Sequence, residues 1–323
     1  MASRSKKIQA QLAKKNFMLR GMRKPVSKLD KGAAFQGLLD LFPGAAFATG
    51  MRLLRADYSG GILRIIAYDG ASQQGAADIM PYKIGNEYWV DYNSKLENLD
   101  ATATGRGLTT NDTLADLCSV GVNNYDGLVP SWYDQSLNAN HATQTSLAAM
   151  PKLVDAGVLE FENGKPCMDK TTAQSFLLTN NLDLRNIDSS QIYVYRKKES
   201  GKNDSVGWSS QSSTWGMLDY DSSNLYAYGA GNNITKDAPF RNNTNQKLFF
   251  GRCEDAIEIS IYEDSNLVGS ITSLDMARIE IDELFGGITN SNFTFQESII
   301  YFSDQNANRT GIQDNINNAY NIY

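Results

Sequence analysis

Between Ile257 and Tyr262 the side chains alternate without a break. Ile257, Ile259 and Ile261 fall on one side, and Glu258, Ser260 and Tyr262 on the other. A period of two marks a strand with one buried face. The Glu263-Asp264-Ser265-Asn266 run that follows, ahead of Leu267, predicts a hairpin. The same grammar recurs along the chain. Strand-like runs stand at Ile62–Tyr68, Val129–Tyr133, Val158–Phe161, Ser175–Leu178, Gln191–Tyr195, Leu225–Tyr228, Lys247–Arg252, Leu267–Thr272 and Phe293–Phe302, each bounded by turn residues. Many short strands with frequent turns confine the chain to a sandwich or barrel. The run ILRIIAY at 62–68 is apolar on both faces, as expected for a strand inside a packed sandwich.

Helical patterns are few. Thr109-Thr110-Asn111-Asp112 ahead of Leu114, Leu117 and Val120 predicts a short capped helix. Ile312, Ile316, Ala319 and Tyr320 recur at helical spacing within Asn308–Tyr320 and predict a C-terminal helix packed on the sandwich. The run AFQGLLDLF at 34–42 suits a short helix or an apolar linker. A chain of 323 residues, 41% apolar and 20% charged, has material for a substantial core, so wholesale disorder is excluded.

Charge divides the chain. Residues 1–31 carry ten cations (Arg4, Lys6, Lys7, Lys14, Lys15, Arg20, Arg23, Lys24, Lys28 and Lys31) against Asp30 alone. That leaves 20 basic and 35 acidic residues, a net −15, for 32–323. The expected organisation is therefore a basic arm at 1–31, a linker at 32–44 and a β domain at 45–323. Ile8, Leu12 and Phe17 would give the arm one short amphipathic helix, ended by Gly21 and Pro25. Its cations suit phosphates, an acidic protein groove or a merely solubilising tail. The acidic body disfavours nucleic acid. The three cysteines, Cys118, Cys167 and Cys253, lack CxxC spacing, which argues against a disulfide framework or zinc site and suits a reducing cytoplasm. Ala33–Ala48 is broken by Asp40 and Pro43, so neither a secretory signal nor a membrane span is expected.

Two segments carry a resemblance. The first is Ala46-Phe47-Ala48-Thr49-Gly50-Met51-Arg52-Leu53-Leu54-Arg55 with Tyr58-Ser59-Gly60-Gly61 and Ile62-Leu63-Arg64-Ile65. The second is Trp132-Tyr133-Asp134-Gln135-Ser136, Asn138, Asn140 and His141-Ala142-Thr143-Gln144, then Pro151-Lys152-Leu153-Val154. Together they resemble the catalytic-domain family of fungal arabinofuranosidase B. They resemble still more the concanavalin-like domains of Bacteroidetes and of their crAss-like tailed phages, whose Asp304–Ile312-like run is also present. The resemblance spans roughly 45–323 and implies a mainly β, concanavalin-like jelly-roll sandwich. Leu137 and Ala139 stand where the family usually has Gly, which implies a different loop path, since Leu resists positive φ.

The arabinofuranosidases are retaining glycosidases, which need two carboxyl groups about 5–5.5 Å apart. The resemblance places the nucleophilic Glu near Ser213–Leu218, at Gly216 or Leu218, and the acid after Gly286-Gly287, at Ile288 or Thr289. Neither position holds a carboxylate, and the family's adjacent cysteine pair is missing near Val206-Gly207-Trp208. The expectation is therefore no arabinofuranosidase activity, with Asp219 and Asp221 as substitutes if the alignment shifts. The one histidine, His141, would have to serve any Ser-His-Asp triad, but its motif position suits a turn-stabilising hydrogen bond. Asp134, Asn138 and Asn140 suit either a calcium ion or an Asx-rich turn, and the turn is favoured because the EF-hand glycine and terminal Glu are missing. Gly229-Ala230-Gly231 reads as a turn, so no nucleotide fingerprint, metal or cofactor is expected.

Trp208, Trp215, Tyr220, Tyr226 and Tyr228 cluster in sequence, as they would for a sugar-stacking surface, although strands and cores favour the same residues. These features lead to an expected virion structural protein of a tailed phage, a head fibre, decoration or attachment protein. It would be made in the host cytoplasm, anchored to capsid or neck through Lys6, Lys7, Lys14, Lys15, Arg20, Arg23 and Lys24, and projected as a homo-oligomer, with a trimer as one form. A host-surface glycan would be its ligand. The alternatives are a glycoside hydrolase using Asp219, Asp221 and Glu297, or a bacterial lectin module.

Overall fold

The computed structural model describes residues 34–120, 123–171, 175–184, 187–198, 204–205, 219–220, 225–226, 228–229, 232–233, 244–254, 258–272, 280–285 and 292–323. The principal strands are β1 Ala45–Gly50, β2 Leu63–Tyr68, β3 Gln73–Ile79, β4 Leu96–Glu97, β5 Asp126–Trp132, β6 Ala142–Thr143, β7 Lys152–Asp155, β8 Met168–Lys170, β9 Phe176–Asp183, β10 Ser189–Lys197, β11 Gln246–Glu254, β12 Glu258–Glu263, β13 Asn266–Thr272, β14 Glu280–Leu284 and β15 Phe293–Tyr301. The helices are α1 Leu38–Leu41, α2 Ala101–Gly105, α3 Leu114–Cys118 and α4 Arg309–Tyr320.

All pairings among these strands are antiparallel and form two layers. The first runs β13-β12-β11-β10-β15-β1, and the second runs β4-β3-β2-β5-β6-β9-β14. Short strands β7 and β8 join them at a corner, with Lys152 paired to Leu128 and to Asp169, and Met168 to Phe295. The expected β-sandwich is what forms. Its interior collects Phe47, Tyr193, Tyr195, Phe249, Ile259, Ile261, Phe295 and Ile300 of the first sheet against Ile65, Ala77, Val129, Trp132 and Phe176 of the second.

The first sheet is buried on both faces. Ile192, Val194, Leu248, Phe250, Ile299 and Tyr301 alternate with the inward residues and pack beneath Ile312, Ile316, Ala319 and Tyr320 of α4. Burying a side chain of this size stabilises by about 1.5–3 kcal/mol, so the helical stripe read in the sequence is the lid of that sheet. Leu38 and Leu39 of α1 join the same cluster, and the Tyr301 hydroxyl donates to the Phe42 carbonyl at 2.8 Å. The second half of the stretch expected as a linker is thus packed into the domain.

Local chemistry sets the remaining ends. The β12–β13 hairpin pairs Glu263 with Asn266 around Asp264 (φ 48°) and Ser265 (φ 67°), the two positive φ values that a twist-matched two-residue turn demands. Thr113 caps α3, with Asp116 accepting its N–H at 3.0 Å. Helix α2 was not expected from sequence. Asp100 caps it and also accepts from Ala76 N on β3, and Gly75 (φ 147°) lets the two backbones meet, since a Cβ there would lie 3.0 Å from Ala103. Cys118, Cys167 and Cys253 are buried and join no disulfide.

Candidate functional site

The two segments that carry the family resemblance form one structural unit. Trp132, fully buried against Phe176, Phe285 and Phe295, donates from Nε1 to the Gly50 carbonyl at 3.3 Å. Asp134 Oδ1 accepts from Ala48 N and Ser136 N, both at 2.9 Å, and Oδ2 accepts from Ser136 Oγ at 2.8 Å and Asn140 N at 3.0 Å. Gln135 accepts from Leu54 N and donates to the Arg52 carbonyl, while its own N–H reaches the Ala48 carbonyl at 2.7 Å. Asn138 donates to the carbonyls of Ala45 and Ala46, and Asn140 exchanges two bonds with the Asn180 backbone. The motif staples the β5–β6 loop to β1 and β9. Its carboxylate lone pairs already face four protein donors, so the cluster is an Asx-rich turn rather than an assembled cation cage.

Leu137 (φ 75°) and Ala139 (φ 54°) adopt the left-handed region. The expectation of a different loop path is therefore corrected: the loop keeps the conformation that Gly would favour, because hydrogen bonds on both sides impose it, and the two non-Gly residues bear the strain. His141 forms the expected turn bond, its Nδ1 accepting from Asp134 N at 3.1 Å. The neutral ring then carries its proton on Nε2. Burial holds its pKa below the ordinary value, with the Asp134 carboxylate opposing.

Glu297, named above for a hydrolytic pair, is 1% exposed and committed to Arg52, with Nε donating to Oε2 at 2.8 Å and the second amino group to Oε1 at 3.3 Å. Arg52 is further held by Asn315 and lies over the Tyr320 ring, so this carboxylate ties β15 and β1 to the C-terminal helix. The positions aligned with the family's catalytic acids, 213–218 and 286–290, lie outside the described residues, as do Trp208, Trp215 and Asp221. So do the arm residues Lys6, Lys7, Lys14, Lys15, Arg20, Arg23 and Lys24. Tyr220 and Tyr226 belong to a small three-stranded sheet, Asp204–Ser205, Asp219–Tyr220 and Leu225–Tyr226. Asp219 pairs with Tyr226, and Tyr220 with Leu225. Tyr228 pairs with Asn233 in a separate hairpin.

Of the sandwich's four sheet faces, two form the core and one lies beneath α4. Among the described residues, the outer face of the second sheet has only the cover that Met150 gives part of it. Register places a row across it: Glu97, Asp78, Arg64, Ser131, Thr143, Leu177 and Glu283, one residue from each successive strand. The neighbouring row, Ala76, Ile66 and Leu128, is covered by Met150, and a bulge at Val129-Pro130 separates the two. Asp78 is the hub of the open row. It accepts from Arg64 at 2.7 Å, from the Tyr133 hydroxyl at 2.7 Å and from Asn98 at 2.6 Å. The His141 ring meets Tyr133 edge-on at 5.0 Å. Burial, with Asp134 and Asp78 nearby, pushes the Tyr58 hydroxyl up to about 12, and burial and the bond to Asp78 raise that of Tyr133 as well. Tyr133, Arg64 and His141 remain half-buried, which leaves rings and polar edges within reach of a ligand.

Tyr133 and His141 are legible as part of the sequence motif, whereas Arg64, Asp78 and Asn98 meet Tyr133 only in the fold. A signal was there: Arg64 is the one charge inside ILRIIAY. The strand's outer face is apolar only in part: Ile66 packs with Ala76, Leu128 and Met150, whereas Arg64 opens outward.

No family model matches this sequence, and no curated protein does. Among solved structures, the fold is similar to a GH54 α-l-arabinofuranosidase soaked with a cyclic sulfate inhibitor, at 14% identity and TM-score 0.50, over 86% of this chain and 64% of that one. It is similar to an arabinofuranosidase complexed with arabinofuranosyl-α-1,2-xylobiose at 16% identity and TM-score 0.50, over 84% and 62%. A GH54 variant soaked with 4-nitrophenyl α-l-arabinofuranoside gives 14% identity and TM-score 0.52, over 86% and 64%. The chain spans a little under two thirds of the length of these structures. The β-sandwich expected from the sequence is thus a fold shared with arabinofuranosidases.

Proposed function

We propose that this chain is a non-hydrolytic, glycan-binding β-sandwich that a basic arm fastens to a larger assembly, with a tailed-phage particle as that assembly. The observation that carries the binding role is the open face of the second sheet, where half-buried aromatic rings adjoin paired donors and acceptors. The arabinofuranosidases that share the fold were captured with an arabinofuranosyl ligand or inhibitor, which makes a sugar a reasonable occupant for a sandwich of this kind. The commitment of Glu297 to Arg52 speaks for binding without cleavage. The missing carboxylates at Gly216 or Leu218 and at Ile288 or Thr289 speak the same way.

The particle role rests on the charge division, +9 in residues 1–31 against −15 in the body, and on the resemblance to phage proteins. Cations in an arm pair with an acidic groove, and such pairing is screened by salt over about 10 Å at 0.1 M. Homo-oligomeric projection from capsid or neck, assembly in the host cytoplasm and release with the particle belong to the same reading. Among the described residues no helix is long and apolar enough to cross a membrane.

Deleting residues 1–31 tests the anchoring half. The truncated chain is expected to keep its melting temperature and to be lost from purified particles, as read by mass spectrometry, and full-length protein is expected to detach as salt rises. Incorporation of the truncated chain at the normal level would contradict it.

A further inference from the structure

The open face does more than present polar groups, because the row has a definite charge order. Arg64 spends one amino group on Asp78 at 2.7 Å and on the Asn98 carbonyl at 3.2 Å. The guanidinium also hydrogen-bonds Tyr133, and the side chain stays 26% exposed. Directly across from Asp78 stands a second carboxylate, Glu97, which is exposed. The positive charge of Arg64 is thus already answered, and the patch is net negative. An anionic ligand would meet two carboxylates for one cation, on a body that carries −15. Asp78 is buried and its oxygens already meet three donors, so the acceptor within a ligand's reach is the exposed Glu97 carboxylate; with the Arg64 edge it offers a donor and an acceptor, and neighbouring sugar hydroxyls present the same pair in reverse. The His141 Nε2–H and the Tyr133 ring extend the surface from there.

We infer that Arg64, Asp78 and Glu97, flanked by Tyr133 and His141, form a subsite for a neutral saccharide, read through two adjacent hydroxyls and selective against uronate- or sulfate-bearing glycans. This rests on the glycan-binding reading above and names its ligand class.

The test is an array of neutral and uronate- or sulfate-bearing oligosaccharides of matched length, probed with the full chain and two variants. Arg64→Met removes the donor. Ser131→Glu places a carboxylate directly across from Arg64, where it engages the exposed part of the guanidinium while forming a favourable cross-strand pair. Wild type is expected to bind neutral members, and each variant to weaken that binding about tenfold or more, with unchanged melting temperature for Ser131→Glu. Preferential binding of charged glycans, or neutral binding that both variants leave intact, would overturn this inference while leaving a glycan-binding protein. Absence of binding by the wild type to every member would overturn both readings.

Discussion

Single residues in the β5–β6 loop show how far hydrogen bonding overrides conformational preference. Leu137 and Ala139 sit at φ 75° and 54°, where an L side chain costs roughly 1–2 kcal/mol. They stay there because Asp134, Ser136, Asn138 and Asn140 bind backbone on either side. Replacing either by Gly relieves that strain but loosens the unfolded chain, so each substitution is expected to stabilise by about 0.5–1 kcal/mol net, read by denaturant unfolding. Destabilisation by both would mean that the loop does not hold this conformation.

His141 gives the same loop a pH dependence. Its folded-state pKa lies below the ordinary 6.5, so as pH falls through 6.5 the unfolded chain takes up a proton that the folded chain refuses. Stability is expected to fall from about pH 6.5 downward and to level off once the folded ring also protonates. In His141→Asn, whose amide oxygen can still accept the Asp134 N–H, this slope should vanish. A wild-type slope retained in that variant would assign it to other groups. The sequence alone suggested the turn bond of His141, because the residue's place in the motif is local. It did not show the strain at Leu137, because the atoms that impose it come from β1 and β9, tens of residues away.

At the scale of elements, legibility followed the range of the interactions. The Ile259/Ile261 strand, its hairpin and the α4 stripe were readable because each is set by neighbours in the chain. Helix α2 was not, since its five residues, Ala-Thr-Ala-Thr-Gly, give no stripe and its cap is shared with β3. The row from Glu97 to Glu283 was invisible for a stronger reason. It exists only through the register of successive strands, and a slip of one residue would send every member to the other face. Helix α4 also explains why β10, with nine residues from Ser189 to Lys197, is buried almost throughout. Ile316→Ala at the middle of that lid is expected to cost about 2–5 kcal/mol, seen as a lower denaturant midpoint. A cost near zero would mean that α4 does not cover the first sheet.

At the scale of the molecule, the covered first sheet and the less covered second sheet give the sandwich two unlike sides, and the proposed binding lies on the second. In the proposed reading the acidic body would carry recognition and the basic arm attachment. The most direct measurement is a crystal structure of the full chain grown with a neutral oligosaccharide that it binds. An intact saccharide is expected on the outer face of β2, β3 and β4, with hydroxyls against Arg64 and Glu97 and a ring beside Tyr133. A sugar cleaved between two carboxyl groups elsewhere in the chain, with that face bare, would contradict the account.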